Sequence, residues 1–538
     1  MESSPGRPPA VRRLVLSAAA LSGAAALVYE VVWTRQLSLI IGSSTYALST
    51  VLGSFMTGLA AGAWIGGRAM RRWEPLRLLF LLEVLIACTG LLMPMAIAAL
   101  PAVYAPLHYG LGRVAPLYLG VQFLVVLLIM LVPTTLMGAT FPVALKGLAP
   151  GSDRIAEEGG GLYAVNTAGS VAGAVGAGFL LVPNLGLQHT NFVAVSLNFL
   201  AAAMLAGSRR RFLGVLAGYL AAGAVAFSVS LPTFFFNVYQ AGRYRSYRDY
   251  LAREKERELV YERKDVEGPV HIFRSRDYGF YTVYIRGRPE GTTNFEDDPH
   301  QLLMTYLPLA IHPEARRFLK IGLGPGVTLW AAAQVPTLEE IDGVDLNGGV
   351  IEAVRTFLQP ALAADPRVRL VRADARRYLE ETPATYDIIT AQSSDPTDDS
   401  ASHLFTREYY RLVRSRLSEG GIFAQFIPSY LLEDRGTRIV IKTLAMEFPY
   451  VYGWEIAGQI FVVASSTPIR PTVPEILRRV DAYWPGLAEK AESKADPAQI
   501  VQMSAQADLP VNTDDRPIVE FITALNVAKY RKYGEAGR

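Results

Sequence analysis

The chain has 538 residues, more than one ordinary hydrophobic core accommodates, so two or more domains are expected. Its net charge of +3 gives no strong basic or acidic excess, which argues against a nucleic-acid-binding protein. The single cysteine, Cys88, excludes a disulfide within the chain, and one cysteine with six scattered histidines predicts no structural zinc.

The N-terminal part is dominated by apolar runs from Leu14 to about Phe236, and the charge density rises after Tyr239. A bilayer core of about 30 Å needs roughly 20 apolar residues per helix, so we predict about seven crossings in a polytopic transmembrane domain over 1–238. The predicted spans lie near 14–34, 43–65, 76–100, 117–145, 160–183, 189–207 and 212–236. The first run continues into YEVVWTR without a clear cleavage site, so no cleavable signal peptide is expected.

Basic residues indicate which side of the membrane each end occupies. The N-terminal arginines and the arginine-rich breaks at Arg71–Trp73 and Ser208–Arg211 are typical of cytoplasmic anchors, which puts the N-terminus in the cytoplasm. Seven crossings would then leave the C-terminal part outside, whereas the basic stretch after Tyr239 favours the cytoplasmic side. We expect a cytoplasmic C-terminal domain and one miscounted span, near 117–150.

Ionisable residues fall at membrane depth at Glu30, Arg35 and Glu83. Such groups are costly in lipid and usually face a partner or a cavity. Glu30 and Arg35 lie near one helical face, and an internal pair is favoured over a substrate path. The small-residue stretches Gly53–Gly67 and Asn166–Gly178 are typical of close helix packing. No pattern in this half identifies a transported solute.

The C-terminal part begins with a basic linker over 239–267 and a small β-strand segment over 268–294. From residue 295 to 538, helices alternate with apolar strands, which are FLKIGLGPG, EEIDGVDLN, VRLVRAD, YDIITAQ and GGIFAQFIP. Alternation of this kind implies a parallel sheet with helices on both faces. We therefore predict an α/β, Rossmann-like domain over 295–538.

Ligands of such sheets bind beyond the carboxyl ends of the strands, where this chain has Gly322–Gly326, Asp345, Asp374–Ala375 and Gln392–Asp395. Glycines let a backbone approach a ligand closely, and the N-terminus of the following helix favours a negative group. Asp345 can accept both ribose hydroxyls, and Asp374 can accept the exocyclic amine of adenine. A glycine turn followed by acids at the next strand ends is more specific for a nucleoside than GLGPG alone. The Asp-Ala step favours an adenosyl ligand over NAD.

These motifs resemble those of spermidine synthase-type aminopropyltransferases, which have the fold of class I AdoMet-dependent methyltransferases. The resemblance covers 270–465 in motif detail and extends to YEVVWTRQL, YAVNTAGSVAGA and VNTDDRPIVEF. The whole chain is similar to bacterial membrane proteins that join a transporter-like half to a spermidine synthase-like half. The resemblance implies an inner-membrane location, decarboxylated AdoMet or AdoMet as cofactor, no metal, a small amine substrate and a homo-oligomer as one possible assembly.

By that resemblance and by position along the cleft, the cofactor contacts are Gln301, Gly322, Gly324, Gly326, Asp345, Asp374 and Ala375, and the substrate contacts are Asp395, Asp298 and Gln459. Gln392 falls on the position of the catalytic Asp, and Pro325 stands where the synthases carry an Asp that holds the aminopropyl amine. In aminopropyl transfer the attacking amine must lose a proton. Gln392 cannot take that proton, so we expect Asp395 to act as the base.

Three functions stay open at this point. The leading one is a membrane-anchored aminopropyltransferase-like enzyme that uses decarboxylated AdoMet and an amine such as putrescine, and so makes spermidine. The second is an AdoMet-dependent methyl- or aminocarboxypropyl-transferase acting on a lipid or membrane-delivered acceptor. Pro325 favours it, because the missing acid marks the decarboxylated cofactor. The third is a transporter or sensor that binds polyamine or nucleoside without turnover, which Gln392 favours.

Overall fold

The structure is a computed structural model, and it describes residues 8–111, 114–149, 154–228, 247–265, 267–295, 299–392, 396, 399–456, 459–491 and 508–527. The chain forms two compact units. The first, residues 1–42 and 46–237, is the helical half. The second, residues 43–45 and 238–538, is the C-terminal domain.

Long helices make up the described part of the helical half: α1 (Pro9–Ile41), α2 (Thr45–Ala69), α3 (Pro75–Leu111), α4 (Ala115–Leu148), α5 (Ile155–Val175), α6 (Val182–Leu205) and α7 (Arg209–Ser228). A turn of π-helix, Gly176–Leu181, joins α5 to α6. Among the described residues, 6 helical segments are long and apolar enough to cross a membrane. One of them, Ile155–Leu205, contains both α5 and α6.

The segment Ile155–Leu205 corresponds to two of the predicted spans. As a straight helix its 51 residues would extend about 75 Å, far beyond a bilayer core of about 30 Å. Gly186 interrupts the segment, because its φ of 74° and ψ of 174° are not helical. Only glycine adopts this conformation readily. The segment therefore consists of two arms that meet at Gly186.

The two arms run in opposite directions. α5 is parallel to α1, since Glu158 pairs with Arg12 near the start of both helices and Gly173 packs on Ala24 further along. α6 is antiparallel to α3, since Asn191 bonds the carbonyl of Gly90 and Asn198 bonds Glu83.

α1 and α3 are parallel to each other, because the Tyr29 hydroxyl lies at Gly90 and Ser22 contacts Glu83. The segment Ile155–Leu205 thus contains two antiparallel helical arms, although its length and composition make it one continuous candidate span. The stretch near 117–150, where a miscount was expected, is the single helix α4. The structure removes no span there, so seven crossings still conflict with a cytoplasmic N-terminus together with a cytoplasmic C-terminal domain.

The C-terminal domain begins with helix α8 (Tyr247–Glu254) and a four-stranded antiparallel sheet, whose strands are β1 (Arg257–Arg263), β2 (Val270–Ser275), β3 (Tyr281–Ile285) and β4 (Arg288–Thr292). The strands follow each other in chain order across the sheet. β1 lies within 239–267, which the sequence indicated as a linker. Its charged residues hide the alternation that would mark a strand.

A second sheet has seven strands: β5 (Arg317–Ile321), β6 (Glu340–Asp345), β7 (Val368–Arg372), β8 (Tyr386–Gln392), β9 (Leu417–Ile427), β10 (Tyr450–Ile456) and β11 (Gln459–Ser465). Their order is β10-β11-β9-β8-β5-β6-β7. β5 to β9 are parallel to their neighbours in this group, and β11 is antiparallel to β9 and β10. This is the sheet of class I AdoMet-dependent methyltransferases, so the predicted fold is confirmed.

Helices cover both faces of this sheet: α9 (His300–Ile311), α10 (Val327–Ala333), α11 (Gly348–Ala353), α12 (Pro360–Ala364), α13 (Ala375–Glu381), α14 (Asp399–Ser402), α15 (Arg407–Ser415), α16 (Ser429–Ala445), α17 (Val473–Tyr483), α18 (Leu487–Ala491) and α19 (Ile518–Val527). Side chains alternate along each strand, so β5 contributes to two apolar layers. Phe318 packs in the layer that includes Leu307 of α9, and Leu319 packs in the layer that includes Tyr410 of α15.

Candidate functional site

The turn that follows β5 requires glycine. Gly322, Gly324 and Gly326 have φ angles of 75°, 52° and 77°, in the left-handed region that other residues adopt rarely. A Cβ on Gly322 would lie 2.8 Å from the backbone oxygen of Gln392, so the ends of β5 and β8 approach each other closely there. Helix α10 begins directly after Gly326. The turn therefore presents backbone rather than side chains at the carboxyl edge of the sheet.

Asp345, at the end of β6, is tied to this turn. Its Oδ2 accepts a hydrogen bond from the Leu323 backbone at 2.8 Å, and its Oδ1 accepts one from Asn347 at 2.8 Å. Burial raises the pKa of Asp345, although these bonds and the Lys320 ammonium oppose the shift. A carboxylate can accept about four hydrogen bonds, so two acceptor positions remain for a ligand such as a ribose diol.

Asp374 follows β7 and has a structural role of its own. It caps α13 by accepting a hydrogen bond from the Arg377 backbone at 2.9 Å. Ala375 is the first residue of that helix. Asp374 and Ala375 both line the same cleft as Gly322 and Asp345. These four predicted cofactor contacts therefore converge on one cleft.

Gln301, in the first turn of α9, lies beside the glycine turn. Its Nε2 donates to the Thr292 carbonyl at 2.9 Å, and a Cβ on Gly291 would meet both this Nε2 and the ring of Pro325. The side chain is 1% exposed, and its Oε1 has no hydrogen-bond partner among the described residues. A buried acceptor without a partner is costly, so this oxygen fits a ligand that brings a donor.

Lys320 is a buried charged residue beside Gln392 that sequence reasoning missed. It lies inside β5 with 0% exposure, and its Nζ donates to Gln392 Oε1 at 3.4 Å. Burial lowers the pKa of Lys320 to about 7, against the opposing attraction of Asp345. A single lysine within an apolar strand gave no signal, because its partner Gln392 lies far away in sequence.

The Gln392 amide lies with its oxygen toward Lys320, whose Nζ donates to it. Gln392 also lines the cleft. The position that holds a carboxylate in the synthases by resemblance thus holds a neutral amide in this chain.

The four-stranded sheet supplies a second wall of the cleft that sequence reasoning also missed. Arg286, Arg288, Glu267 and Glu290 line it from that side. Arg286 has a φ of 52° and donates from Nε to the Glu267 carbonyl at 2.6 Å. The cleft therefore contains both charges. No sequence motif marked these residues, because they follow from how the two sheets pack.

The remaining predicted site residues are Gln459, Asp298 and Asp395. Gln459 begins β11, whose next residue pairs with Ile427 at the end of β9. Its position is at the same edge of the sheet as Gln392, and its Oε1 has no hydrogen-bond partner among the described residues. Asp298 and Asp395 lie outside the described residues. Among the described residues, no group of three or more His, Cys, Asp or Glu side chains could hold a metal ion.

Residues 298–454 match the spermine/spermidine synthase domain. A polyamine aminopropyltransferase from Synechococcus sp. is 31% identical to this chain over 244 residues, which are 41% of this chain and 75% of that protein. The chain belongs to the spermine/spermidine synthase family. The resemblance predicted from its motifs is thereby confirmed.

Two further proteins are similar to parts of this chain. A spermidine synthase from Dictyostelium discoideum is 29% identical over 252 residues, 44% of this chain and 87% of that protein. Putrescine N-methyltransferase 2 from Nicotiana tabacum is 34% identical over 172 residues, 31% of this chain and 48% of that protein. Each of these matches covers less than half of the chain.

Proposed function

We propose that this chain is a membrane-anchored aminopropyltransferase that moves an aminopropyl group from decarboxylated AdoMet to a small amine such as putrescine. The observation that carries the proposal is the convergence of Gly322 in the glycine turn, Asp345 and the Asp374–Ala375 step on one cleft. These are the groups that an adenosyl ligand needs: an open backbone turn, an acceptor for ribose hydroxyls and an acceptor for the adenine amine. The helical half would hold the enzyme in the membrane.

The chain's own residues fit such a donor. Gln301 Oε1 would accept a hydrogen bond from the donor, and Asp345 would accept the ribose hydroxyls with its remaining acceptor positions. Gly322 and Gly324 would let the backbone lie directly against the nucleoside. The family places the acceptor amine near Gln392, where Asp395 would complete the site.

The reaction balances with these residues alone. The lone pair of the amine attacks the methylene carbon next to the sulfonium, and the carbon–sulfur bond breaks. Sulfur keeps the bonding electrons, so methylthioadenosine leaves as a neutral thioether. The amine loses one proton, which Asp395 would take because Gln392 cannot. Holding both reactants in line would supply much of the rate enhancement.

A binding titration with methylthioadenosine on the full chain in detergent tests the site. We expect Asp345→Ala to weaken binding roughly 10-fold to 100-fold, because hydrogen bonds to a charged acceptor contribute about 1.5–3 kcal/mol. The matched control is Asp387→Ala. Asp387 also accepts two backbone hydrogen bonds, from Arg316 and Arg317 at 2.8 and 3.0 Å, but at the opposite edge of the sheet.

The control variant should bind like the parent. If the parent protein bound no thioether nucleoside, or if Asp345→Ala bound it as tightly as the parent, the proposed cleft would be wrong.

A second candidate is favoured by the Lys320–Gln392 contact. In this candidate the donor is AdoMet itself, which keeps its carboxylate, and the transferred group is methyl or aminocarboxypropyl. A donor amide from Gln392 backed by Lys320 suits a carboxylate better than an ammonium, and Pro325 removes the acid that would bind an aminopropyl amine. The relationship to a putrescine N-methyltransferase is consistent with such chemistry.

Comparing the affinities for AdoMet and its decarboxylated form separates the candidates. The second candidate predicts that the parent prefers AdoMet and that Gln392→Glu, which has the same shape with a negative charge, reverses the preference. Preference of the parent for the decarboxylated form would eliminate it. Binding of either form without any product would instead favour a non-catalytic sensor.

A further inference from the structure

Polar side chains recur every seventh residue on α1 and α6 of the helical half, and α3 carries Glu83 seven residues before Gly90. Seven residues are about two helical turns, so each set lies on one face of its helix. The sets are Ser22, Tyr29 and Gln36 on α1, Glu83 and Gly90 on α3, and Asn191 and Asn198 on α6. The polar side chains among them are all buried. We refer to these residues as the polar seam.

At the level of Gly90 and Asn191, hydrogen bonds between protein groups satisfy the polar atoms of Asn191. Asn191 Nδ2 donates to the Gly90 carbonyl at 2.9 Å, and Trp33 Nε1 donates to Asn191 Oδ1 at 3.0 Å. The Tyr29 ring stacks on Trp33 with ring centroids 4.9 Å apart, and a side chain at Gly90 would clash with the Tyr29 hydroxyl. This level holds α1, α3 and α6 together, as interhelical hydrogen bonds in membranes do.

The level at Glu83 is different. Glu83 is 1% exposed, and Asn198 Nδ2 donates to its Oε2 at 2.7 Å. Ser22 is a further hydrogen-bond partner of the carboxyl group. Among the described residues, Glu83 Oε1 and Asn198 Oδ1 have no hydrogen-bond partner, and no Lys or Arg forms an ion pair with Glu83. Two acceptors from the same pair of side chains are thus left unsatisfied.

An ionised carboxylate in this position would be costly, because no Lys or Arg of the described residues compensates its charge. One proton on Glu83 Oε1 removes the charge and can be donated to Asn198 Oδ1. The acid and the amide then form a closed pair with two hydrogen bonds, which satisfies both oxygens at once. We propose that Glu83 and Asn198 form a proton-binding site in the helical half, with Glu83 protonated at neutral pH.

The surroundings of Glu83 support a proton rather than a structural ion pair. Ser22 and Tyr29 of α1 and Asn198 of α6 face it, and none of them is charged at neutral pH. Glu158 is equally buried in the same half, but Arg12 pairs with it at 3.0 Å. The two carboxyl groups therefore differ in charge compensation and not in burial.

The polar seam continues beyond the proton site. The Tyr29 hydroxyl and Gln36 Oε1 also have no hydrogen-bond partner among the described residues. From Ser22 to Gln36 the seam extends about 21 Å along α1, a large part of a bilayer core of about 30 Å. A protonatable acid at membrane depth within a row of polar groups is the arrangement that proton relays use.

Infrared spectroscopy of the full chain in detergent at pH 7 tests the proposal directly. A protonated carboxyl group has a carbonyl band that is separate from that of a carboxylate and shifts in heavy water. We expect Glu83→Gln to remove one such band, and the matched variant Glu158→Gln to leave it. We also expect Asn198→Leu to shift the band, because the hydrogen bonds to the acid are lost. Identical carbonyl spectra of the parent and Glu83→Gln would overturn the proposal.

Thermal unfolding gives an independent readout. Glutamine at 83 can make the same two hydrogen bonds to Asn198 as a protonated glutamate, and it has no charge to lose on folding, so Glu83→Gln should fold with a Tm at neutral pH at least as high as that of the parent. Because glutamate in the unfolded chain ionises near pH 4.3, the Tm of the parent should fall relative to that of the variant as the pH rises from about 4.3 to 7. If the variant failed to fold, the shift of the band in Asn198→Leu would carry the test instead. A missing carboxyl band together with a sodium-dependent Tm would assign the site to an alkali cation and reject the proton.

Discussion

The substitution Lys320→Met removes a buried amine and keeps most of its apolar stem. Burial lowers the pKa of Lys320 from 10.5 to about 7, and Asp345 opposes the shift. Between these pKa values the unfolded chain binds a proton that the folded chain does not, so stability rises with pH across this window. The corresponding gain in the free energy of unfolding from pH 7 to pH 10 is at most about 4 kcal/mol. We expect the variant to lack this gain.

At pH 6 to 7 the variant should therefore be more stable than the parent by several kcal/mol, and the two should converge near pH 10. The assay is urea unfolding of the full chain in detergent, followed by tryptophan fluorescence at a series of pH values. Trp330 and Trp454 report on the C-terminal domain, and Lys255→Met, at an exposed lysine, is the control that should follow the parent. Parallel stability profiles of the parent and Lys320→Met would refute a neutral, buried amine.

Two further predictions concern the cleft. Gly322→Ala should lower the free energy of unfolding by about 1–3 kcal/mol and weaken methylthioadenosine binding in a titration, because it adds strain at φ 75° and a clash with Gln392. Gly420→Ala, at φ 78° with no Cβ contact under 3.9 Å, should show the stability loss from strain alone and normal binding. Asp374→Ala should lose about 1 kcal/mol of stability, measured by urea unfolding, together with nucleoside affinity, whereas Asp374→Ser keeps the helix cap and should lose only affinity. Equal affinity of both Asp374 variants and the parent would leave this residue with a capping role alone.

The parallel core of the C-terminal domain could be predicted because its signals are local. FLKI, YDIITAQ and the other apolar runs are short, and helices separate them, so both the strands and their parallel arrangement follow from the pattern. The sequence does not indicate that β10 and β11 pair as a hairpin, and it predicts a linker where β1 lies. β1 carries many charges, and its place in a sheet depends on β2, which only tertiary packing supplies.

The candidate site likewise has residues that the sequence predicts and contacts that only the folded sheet creates. Gly322, Asp345 and Asp374 are fixed by their positions at strand ends, and the structure brings them to one cleft. The substitution at Gln392 was visible in the sequence, but its hydrogen bond with Lys320 was not, because β5 and β8 become neighbours only in the folded sheet. Likewise Glu83 was noticed as costly in lipid, whereas its pairing with Asn198 depends on how α3 packs on α6.

The most direct test of the proposed function is a product assay on the full chain in detergent. Decarboxylated AdoMet and putrescine are supplied, and methylthioadenosine and spermidine are followed by mass spectrometry. We expect the parent to release both products in equal amounts, Gln392→Asp to release them faster because it restores a nearby base, and Asp345→Ala to release little. Binding of methylthioadenosine without product from either the parent or Gln392→Asp would contradict aminopropyl transfer as the function of this cleft.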